Sequence, residues 1–228
     1  MKKNLDFVAI VPARRGSKGL KNKNIISINQ KKMIEYSFLN ASKCKYIKKI
    51  FLTTNDKKIF PLAKKYKKIE IFKRSEILST SVALLKDVIY DTLNKIIKQY
   101  PKTENFILLQ PTSPQRTFRD IEKAVKFYRK NNYKNLISVS EPINSPYELI
   151  FLNKNKNSLL IDRKKQLNRQ SYKKSFYING SIFIGSIKKF LKEKKFLNKD
   201  SVFFKMEKKH SIDVNDSFDI KLVENLIK

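Results

Sequence analysis

A doubly wound α/β fold with a mostly parallel sheet is predicted by three observations. Short apolar runs alternate with longer stretches of helical spacing, which is the signature of βαβ units. Two of the four glycines fall in one turn directly after the first apolar run, where open α/β sheets place their ligand sites. The 228 residues fit one such domain with a full core, so residues 1–228 are read as a single unit.

Strands are expected at residues 7–11, 49–53, 69–72, 105–109 and 136–140, each a short apolar run bounded by polar residues. Helices are expected between them, at 32–43, 56–66, 82–99 and 118–131. The third carries Val82, Leu85, Val88, Ile89, Leu93, Ile96 and Ile97 on one face. After Ser140 the rhythm changes to strands without intervening helices: Tyr147 to Leu152, Ser158 to Ile161, and Tyr177 to Ile184. That change reads as a small antiparallel excursion, with residues 141–178 as an arm for dimerisation or a lid. A short helix near 186–194, a strand near 202–206 and a helix at 216–227 complete the chain.

Composition removes several function classes. His210 is the only histidine and Cys44 the only cysteine, so Ser/His/Asp and Cys/His nucleophile systems and multi-histidine metal centres are absent. Cys44 is expected on an apolar face in a reducing compartment. With no long apolar run, the protein is expected in the cytoplasm and not in a membrane. The formal charge of +31 brings nucleic acid to mind, but the lysines are scattered through every helix and most loops. Scatter of that kind is no footprint for a nucleic acid, although the field favours a polyanionic small substrate.

The turn after the first strand reads Pro12-Ala13-Arg14-Arg15-Gly16-Ser17-Lys18-Gly19-Leu20-Lys21-Asn22-Lys23-Asn24. Glycine allows backbone N–H groups close to a phosphate; Arg supplies a planar fork and Lys a mobile point charge. The segment is neither a Walker A loop nor the G-x-G-x-x-G dinucleotide pattern. Its ordered combination resembles the P-A-R-x-G-S-K-x(4)-K-N signature of the acylneuraminate cytidylyltransferases, the family that includes CMP-sialic acid and CMP-legionaminic acid synthetases.

Three further segments resemble that family in the same register. Leu109-Gln110-Pro111-Thr112-Ser113-Pro114-Gln115-Arg116-Thr117 is similar to its L-Q-P-T-S-P-x-R-T element, with Gln115 where Leu is usual. Asn179-Gly180-Ser181-Ile182-Phe183, preceded by Arg169-Gln170, is similar to its N-G-A-I-Y strand and R-Q pair. Ser211-Ile212-Asp213-Val214-Asn215 and Asp219 resemble its S-I-D-I-D-x-x-x-D ending, with Asn215 in place of the second acid. A parallel exchange puts Asn55 where the family has S-T-D, and the stretch Arg74 to Thr80 resembles a nucleotide-contacting region in looser register.

The resemblance implies a nucleotide-diphospho-sugar transferase-like, Rossmann-like fold and transfer of CMP from CTP to the anomeric hydroxyl of an acidic α-keto sugar, with a homodimeric protein and Mg2+ as cofactor. It implies that Arg14 and Lys18 contact the triphosphate, with Ser17, Lys23, Asn24 and the backbone at Ala13 holding the nucleotide. Gln110, Arg169 and Asn179 fall on the sugar side. Asp213 holds the metal, together with Asn215, whose carbonyl can still ligate a hard cation but brings no charge. Asp216 is read as the cap of the last helix. A nucleotidylyltransferase for another sugar or base, a basic nucleic-acid-binding protein, and a subunit that binds without catalysing remain as alternatives.

Overall fold

The computed structural model describes residues 6–16, 19–152, 158–161 and 168–227, without the side chain of Arg169. The chain runs β1 (Phe7–Ala13), β2 (Ser27–Ile28), β3 (Lys31–Lys32), α1 (Met33–Lys43), β4 (Ile47–Thr54), α2 (Phe60–Lys64), β5 (Ile69–Lys73), α3 (Leu85–Gln99), β6 (Asn105–Leu108), α4 (Phe118–Lys130) and β7 (Leu136–Ser140). It continues through β8 (Ile150–Phe151), β9 (Ser158–Leu159), β10 (Tyr177–Ser186), α5 (Ile187–Glu193), β11 (Val202–Lys205) and α6 (Ser217–Leu226).

Seven strands form one sheet in the order β11-β7-β10-β6-β1-β4-β5. The pairs β6/β1, β1/β4, β4/β5 and β7/β11 are parallel, while β10 runs antiparallel to both neighbours. Alternation along β1 shows how the layers arise. Phe7, Ala9, Val11 and Ala13 meet α1 and α4 on one face, through Phe38, Ala124 and Tyr128, whereas Val8 and Ile10 meet α3 and α5 on the other, through Leu93 and Phe190. Helices thus cover both faces, so a central strand such as β1 is apolar on both. A third apolar cluster of Ile28, Met33, Tyr36, Val214 and Val223 docks α6 beside the hairpin β2/β3.

Three expectations need revision. Tyr177 to Ile184 does not belong to a peripheral excursion, because β10 lies in the middle of the main sheet with Ile182, Phe183 and Ile184 buried. The two-stranded antiparallel sheet β8/β9 is the small separate piece, and Tyr177 and Ile178, the last residues of the 141–178 segment, already open β10. The helix expected at 56–66 is divided into a 3-10 turn, Lys57–Ile59, and α2. Pro61 explains the division: lacking an N–H, it sits comfortably only in the first turn of a helix. Val82 falls in phase with the face of α3 but precedes the helix and is 82% exposed.

The antiparallel β10 is pinned by a buried cation. Arg116 is 1% exposed; its Nη1 donates to the carbonyls of Gln110 (3.1 Å) and Ser181 (2.7 Å), and its Nη2 to Ser37 Oγ (2.7 Å). One guanidinium therefore joins the end of β6, the start of β10 and α1. Burial pushes its pKa down to about 9, with Asp120 opposing the shift. We expect Arg116→Ala to destabilise the protein by about 3 kcal/mol in urea denaturation, since several buried acceptors lose their donors together. Arg116→Lys should restore little, because one ammonium does not reproduce the planar fork.

Candidate active site

The carboxyl ends of β1, β4 and β6 lie on one edge of the sheet, and there the sequence places Arg14, Asn55 and Gln110 directly after them. Because β10 runs the other way, its first residues arrive at the same edge, with Tyr177 opposite Ser140 at the carboxyl end of β7. Between Ile178 and Phe183 the β10/β7 register shifts, and this bulge contains Asn179 and Gly180. Gly180 has φ of +68°, and a Cβ there would lie 3.0 Å from Gln110 Nε2. The left-handed backbone favours glycine here, and a Cβ would also press on the tip of the Gln110 side chain.

Gln110 Nε2 donates to the Gly180 carbonyl (3.1 Å), so the two motifs are in direct contact. Asn179 is buried and turned inward. Its Oδ1 accepts from Ser138 Oγ and from the Ser181 N–H (3.0 Å), and its Nδ2 donates to Ser140 Oγ (2.7 Å). Ser140 in turn donates to Ser211 Oγ (2.6 Å), at the head of the Asp213 segment. That segment is also held by the Val214 N–H, which donates to the Thr112 carbonyl (2.8 Å). The serines of β7 are therefore the hidden support of the site; the sequence marks them only as members of a strand.

The glycine loop is fastened on two sides. Asn24 Nδ2 donates to the Arg14 carbonyl (3.2 Å), and the Arg15 N–H donates to Asn55 Oδ1 (2.8 Å). Lys23 Nζ reaches Asn215 Oδ1 at 3.1 Å, and Asn215 Nδ2 donates to Asp213 Oδ2 at 3.0 Å. Gly19 lies so near this segment that a Cβ would come within 3.1 Å of the Asn215 carbonyl. Burial lowers the pKa of Lys23, and the charges of Asp213 and Asp219 oppose the shift. Ser17 and Lys18 lie outside the described residues, as does the side chain of Arg169, whose backbone forms a 3-10 turn, Arg169–Ser171.

Arg74 is the site residue that sequence reading left unassigned. It is buried at the end of β5, where its Nη2 donates to the Thr53 carbonyl (2.9 Å) and its backbone N–H to the Thr54 carbonyl (3.0 Å). Burial and then the charge of Arg14 push its pKa down to about 10, Asp91 opposing. Two guanidiniums near one another, one of them buried with its Nε unpartnered, make a place that favours an anion. The signal was the Arg in the loosely matching stretch after β5; what the sequence could not give was its proximity to Arg14.

Two clefts open on this edge. One, of about 580 Å³, is lined by Arg15, Asn55, Lys57, Lys58, Lys73 and Glu76. The other, of about 620 Å³, includes Asn179, Gly180, Asp213 and Asn215 in its wall. Among the described residues no group of three or more His, Cys, Asp or Glu side chains is arranged to hold a metal. Mg2+ commonly takes one or two protein oxygens and completes its shell with water and substrate phosphates, and the Asp213 carboxylate beside the cationic glycine loop has the chemistry for that mode.

The cytidylyltransferase family model matches residues 8–226. The chain belongs to that family. It is 32% identical over 228 residues to post-translational flagellin modification protein B of Campylobacter coli, covering 98% of this chain and 95% of the relative. Identity to the CMP-N,N'-diacetyllegionaminic acid synthase of Campylobacter jejuni is also 32%, over 97% and 95% of the two chains. An N-acylneuraminate cytidylyltransferase of Escherichia coli matches at 32% over 95% of this chain, which spans only 51% of that longer protein. In solved structures the same fold is seen in CMP:2-keto-3-deoxy-manno-octonic acid synthetase complexed with CTP, at a TM-score of 0.71 and 15% identity over 97% and 98% of the chains.

The cytidylyltransferase therefore carries Gly180 at a position that no other residue fills without strain. Gly180→Ala should cost about 1–2 kcal/mol from its left-handed backbone alone. Thermal melting measures that cost, and a melting temperature equal to wild type would show that the bulge adapts freely.

Proposed function

We propose that this enzyme transfers CMP from CTP to the anomeric hydroxyl of an acidic α-keto sugar of the nonulosonate class. The observation that carries the reading is the junction of the cationic glycine loop with Asp213 through Lys23 and Asn215, supported by relatives whose names specify acylneuraminate and legionaminate substrates. The sugar oxygen bonds to the α-phosphorus, the bond from that phosphorus to the bridging oxygen breaks, and pyrophosphate leaves with the charge. The hydroxyl proton passes to solvent. No covalent enzyme intermediate is needed, and positioning with charge neutralisation provides the acceleration.

In this reading Arg14, Lys18 and Arg74 neutralise the triphosphate, with Ser17, Asn24 and the backbone at Ala13 holding the nucleotide. Lys23 exchanges Asn215 for a phosphate oxygen when the triphosphate enters, which frees the Asn215 carbonyl. Asp213, with Asn215, would hold Mg2+, which neutralises charge on the phosphate oxygens when bound. Gln110 and Arg169 face the sugar, while Asn179 shapes the bulge that presents Gly180. The protein acts in the cytoplasm and without nucleic acid as a partner; no helix among the described residues is long and apolar enough to cross a membrane.

A homodimer belongs to the same proposal. Ile150, Phe151 and Leu152 are more than half exposed around β8, an apolar surface of the kind that a second copy covers. Light scattering should give twice the chain mass, and Phe151→Asp should shift the protein toward monomer.

Pyrophosphate release with CTP, GTP, UTP and ATP against a panel of acidic sugars tests the activity, with CTP expected to be used at least tenfold better than the others. Arg14→Ala should lower kcat about 100-fold or more at saturating CTP, the scale on which one charge-stabilising group acts; near-native turnover would remove Arg14 from the reaction. Asp213→Ala should abolish the dependence of rate on added Mg2+, and an unchanged titration would exclude that carboxylate as a ligand.

A further inference from the structure

β7 carries two serines in an otherwise apolar run, Ser138 and Ser140, two positions apart and therefore on one face. Beside them the register of β10 slips: Ile178 pairs with Val139 and Phe183 with Ile137, so residues 179–182 all stand against Ser138. Backbone groups in such a bulge lose their ladder partners, and side chains replace them here. The Ile182 N–H donates to Ser138 Oγ (2.8 Å), which donates to Asn179 Oδ1 (2.5 Å). Asn179 Nδ2 donates to Ser140 Oγ (2.7 Å), which donates to Ser211 Oγ (2.6 Å), and that hydroxyl donates to the Lys208 carbonyl (3.1 Å).

The side chains of Ser138, Ser140, Asn179 and Ser211 are all buried. Their hydrogen bonds run in one direction, because the backbone N–H at one end can only donate and the carbonyl at the other can only accept. In the middle, the Ser181 N–H (3.0 Å) holds Asn179 Oδ1 as the acceptor. Of the two acceptors near the Ser140 proton, Ser211 Oγ is much closer than the Met206 carbonyl (3.5 Å).

Three segments meet at this edge of the sheet: Gln110 to Thr112, the bulge at Asn179 and Gly180, and Ser211 to Val214. Gln110 is bonded to Gly180, and Thr112 to Val214. Two sides of a triangle leave the third length open. Ser140 closes it, since it is bonded to Asn179 on one side and Ser211 on the other.

We infer that Ser140 is a positioning residue for the transfer reaction: its hydroxyl fixes how far the Asp213 stretch lies from the Gly180 bulge, and so sets the turnover rate and not the affinity for either substrate. The inference rests on the CMP-transfer reading above, in which Gln110 and Asp213 act on the two reactants. Ser140 is 1% exposed and touches neither. Binding of each reactant draws on contacts that survive loss of the hydroxyl. Transfer needs the acceptor oxygen and the α-phosphorus in register, and a misplacement of about 1 Å costs up to about 100-fold.

The test uses the full chain with CTP, Mg2+ and the acidic sugar that the wild type uses best. Ser140→Ala should lower kcat about tenfold or more, while the KM for each substrate and the calorimetric affinity for CTP stay within about twofold. Ser140→Thr, which keeps the donor and the acceptor, should recover most of the rate. Ser211→Ala breaks the same link from its other end, so the double variant Ser140→Ala/Ser211→Ala should be no slower than the slower single one. That equality decides the matter if the extra methyl of threonine does not fit. A raised KM for the sugar at unchanged kcat overturns the inference, because Ser140 then serves binding. A lowered melting temperature with wild-type kinetics overturns it as well, as does a double variant whose losses multiply; in each of these cases CMP transfer stands. A wild type that releases no pyrophosphate from CTP with any acidic sugar overturns the parent reading and this one with it.

Discussion

Arg116 is the interaction on which the rest of the site depends. A guanidinium held out of water is costly unless its donors are used, and here Nη1 and Nη2 donate to two carbonyls and a hydroxyl from three different elements, leaving Nε without a partner. The arrangement succeeds because backbone carbonyls at strand ends have no ladder partner and need a donor. Gln110 lies just past the end of β6 and Ser181 in the bulge of β10, where the ladder with β7 is likewise interrupted, and their proximity sets how closely Gly180 can approach the Gln110 side chain. Without that tie, the antiparallel strand would still pair with β6 along Phe183 to Ser186, but its bulged beginning would have no fixed position.

The electrostatics of the loop follow a different logic. Much of the protein's positive charge is on exposed lysines whose long-range field attracts anions without selecting among them. Selection requires charge that is placed and partly desolvated. Arg74 and Arg14 supply this at the ends of β5 and β1: burial and then the charge of Arg14 make the protonated state of Arg74 less favourable, and an incoming anion relieves that. Lys23 differs, being already engaged with Asn215. The exchange of Asp for Asn at position 215 fits that engagement: an amide binds Lys23 through its oxygen and Asp213 through its nitrogen, whereas a second carboxylate would repel Asp213.

Much of this architecture was legible in sequence because local patterns agree with the final environment. The strands at β1, β4, β6 and β7 are apolar runs that are largely buried, β5 at the sheet edge is only half-buried, and α1, α3 and α4 begin and end within a few residues of their apolar periodicity. Asp216 was readable as a cap from its place before an apolar run, and it accepts from the Asp219 N–H as such residues do. Cys44 is buried at the end of α1, in keeping with its preference. What escaped the reading was non-local. β10 follows exposed strands with no helix between, so its central position depends on β6 and β7, distant in sequence. Ser138, Ser140 and Ser211 act as supports only through contacts across 39 to 71 positions. Tyr147 stacks on Tyr172 with ring centroids 4.7 Å apart, a contact that no local pattern marks.

The place of β10 in the sheet also governs the order in which the protein can be assembled. As the chain leaves the ribosome, β5, β4, β1 and β6 can pair among themselves once residue 108 has emerged. β7 cannot join them, because the position beside β6 belongs to a strand that begins only at Tyr177. Until then β6 presents a bare edge, the kind of surface that invites pairing with another chain, and closing the sheet waits on a long-range contact of the sort that slows folding. The segment from Tyr177 onward thus completes two things in one event, the sheet and its carboxyl edge, so a nascent chain interrupted before Ser186 has neither in finished form.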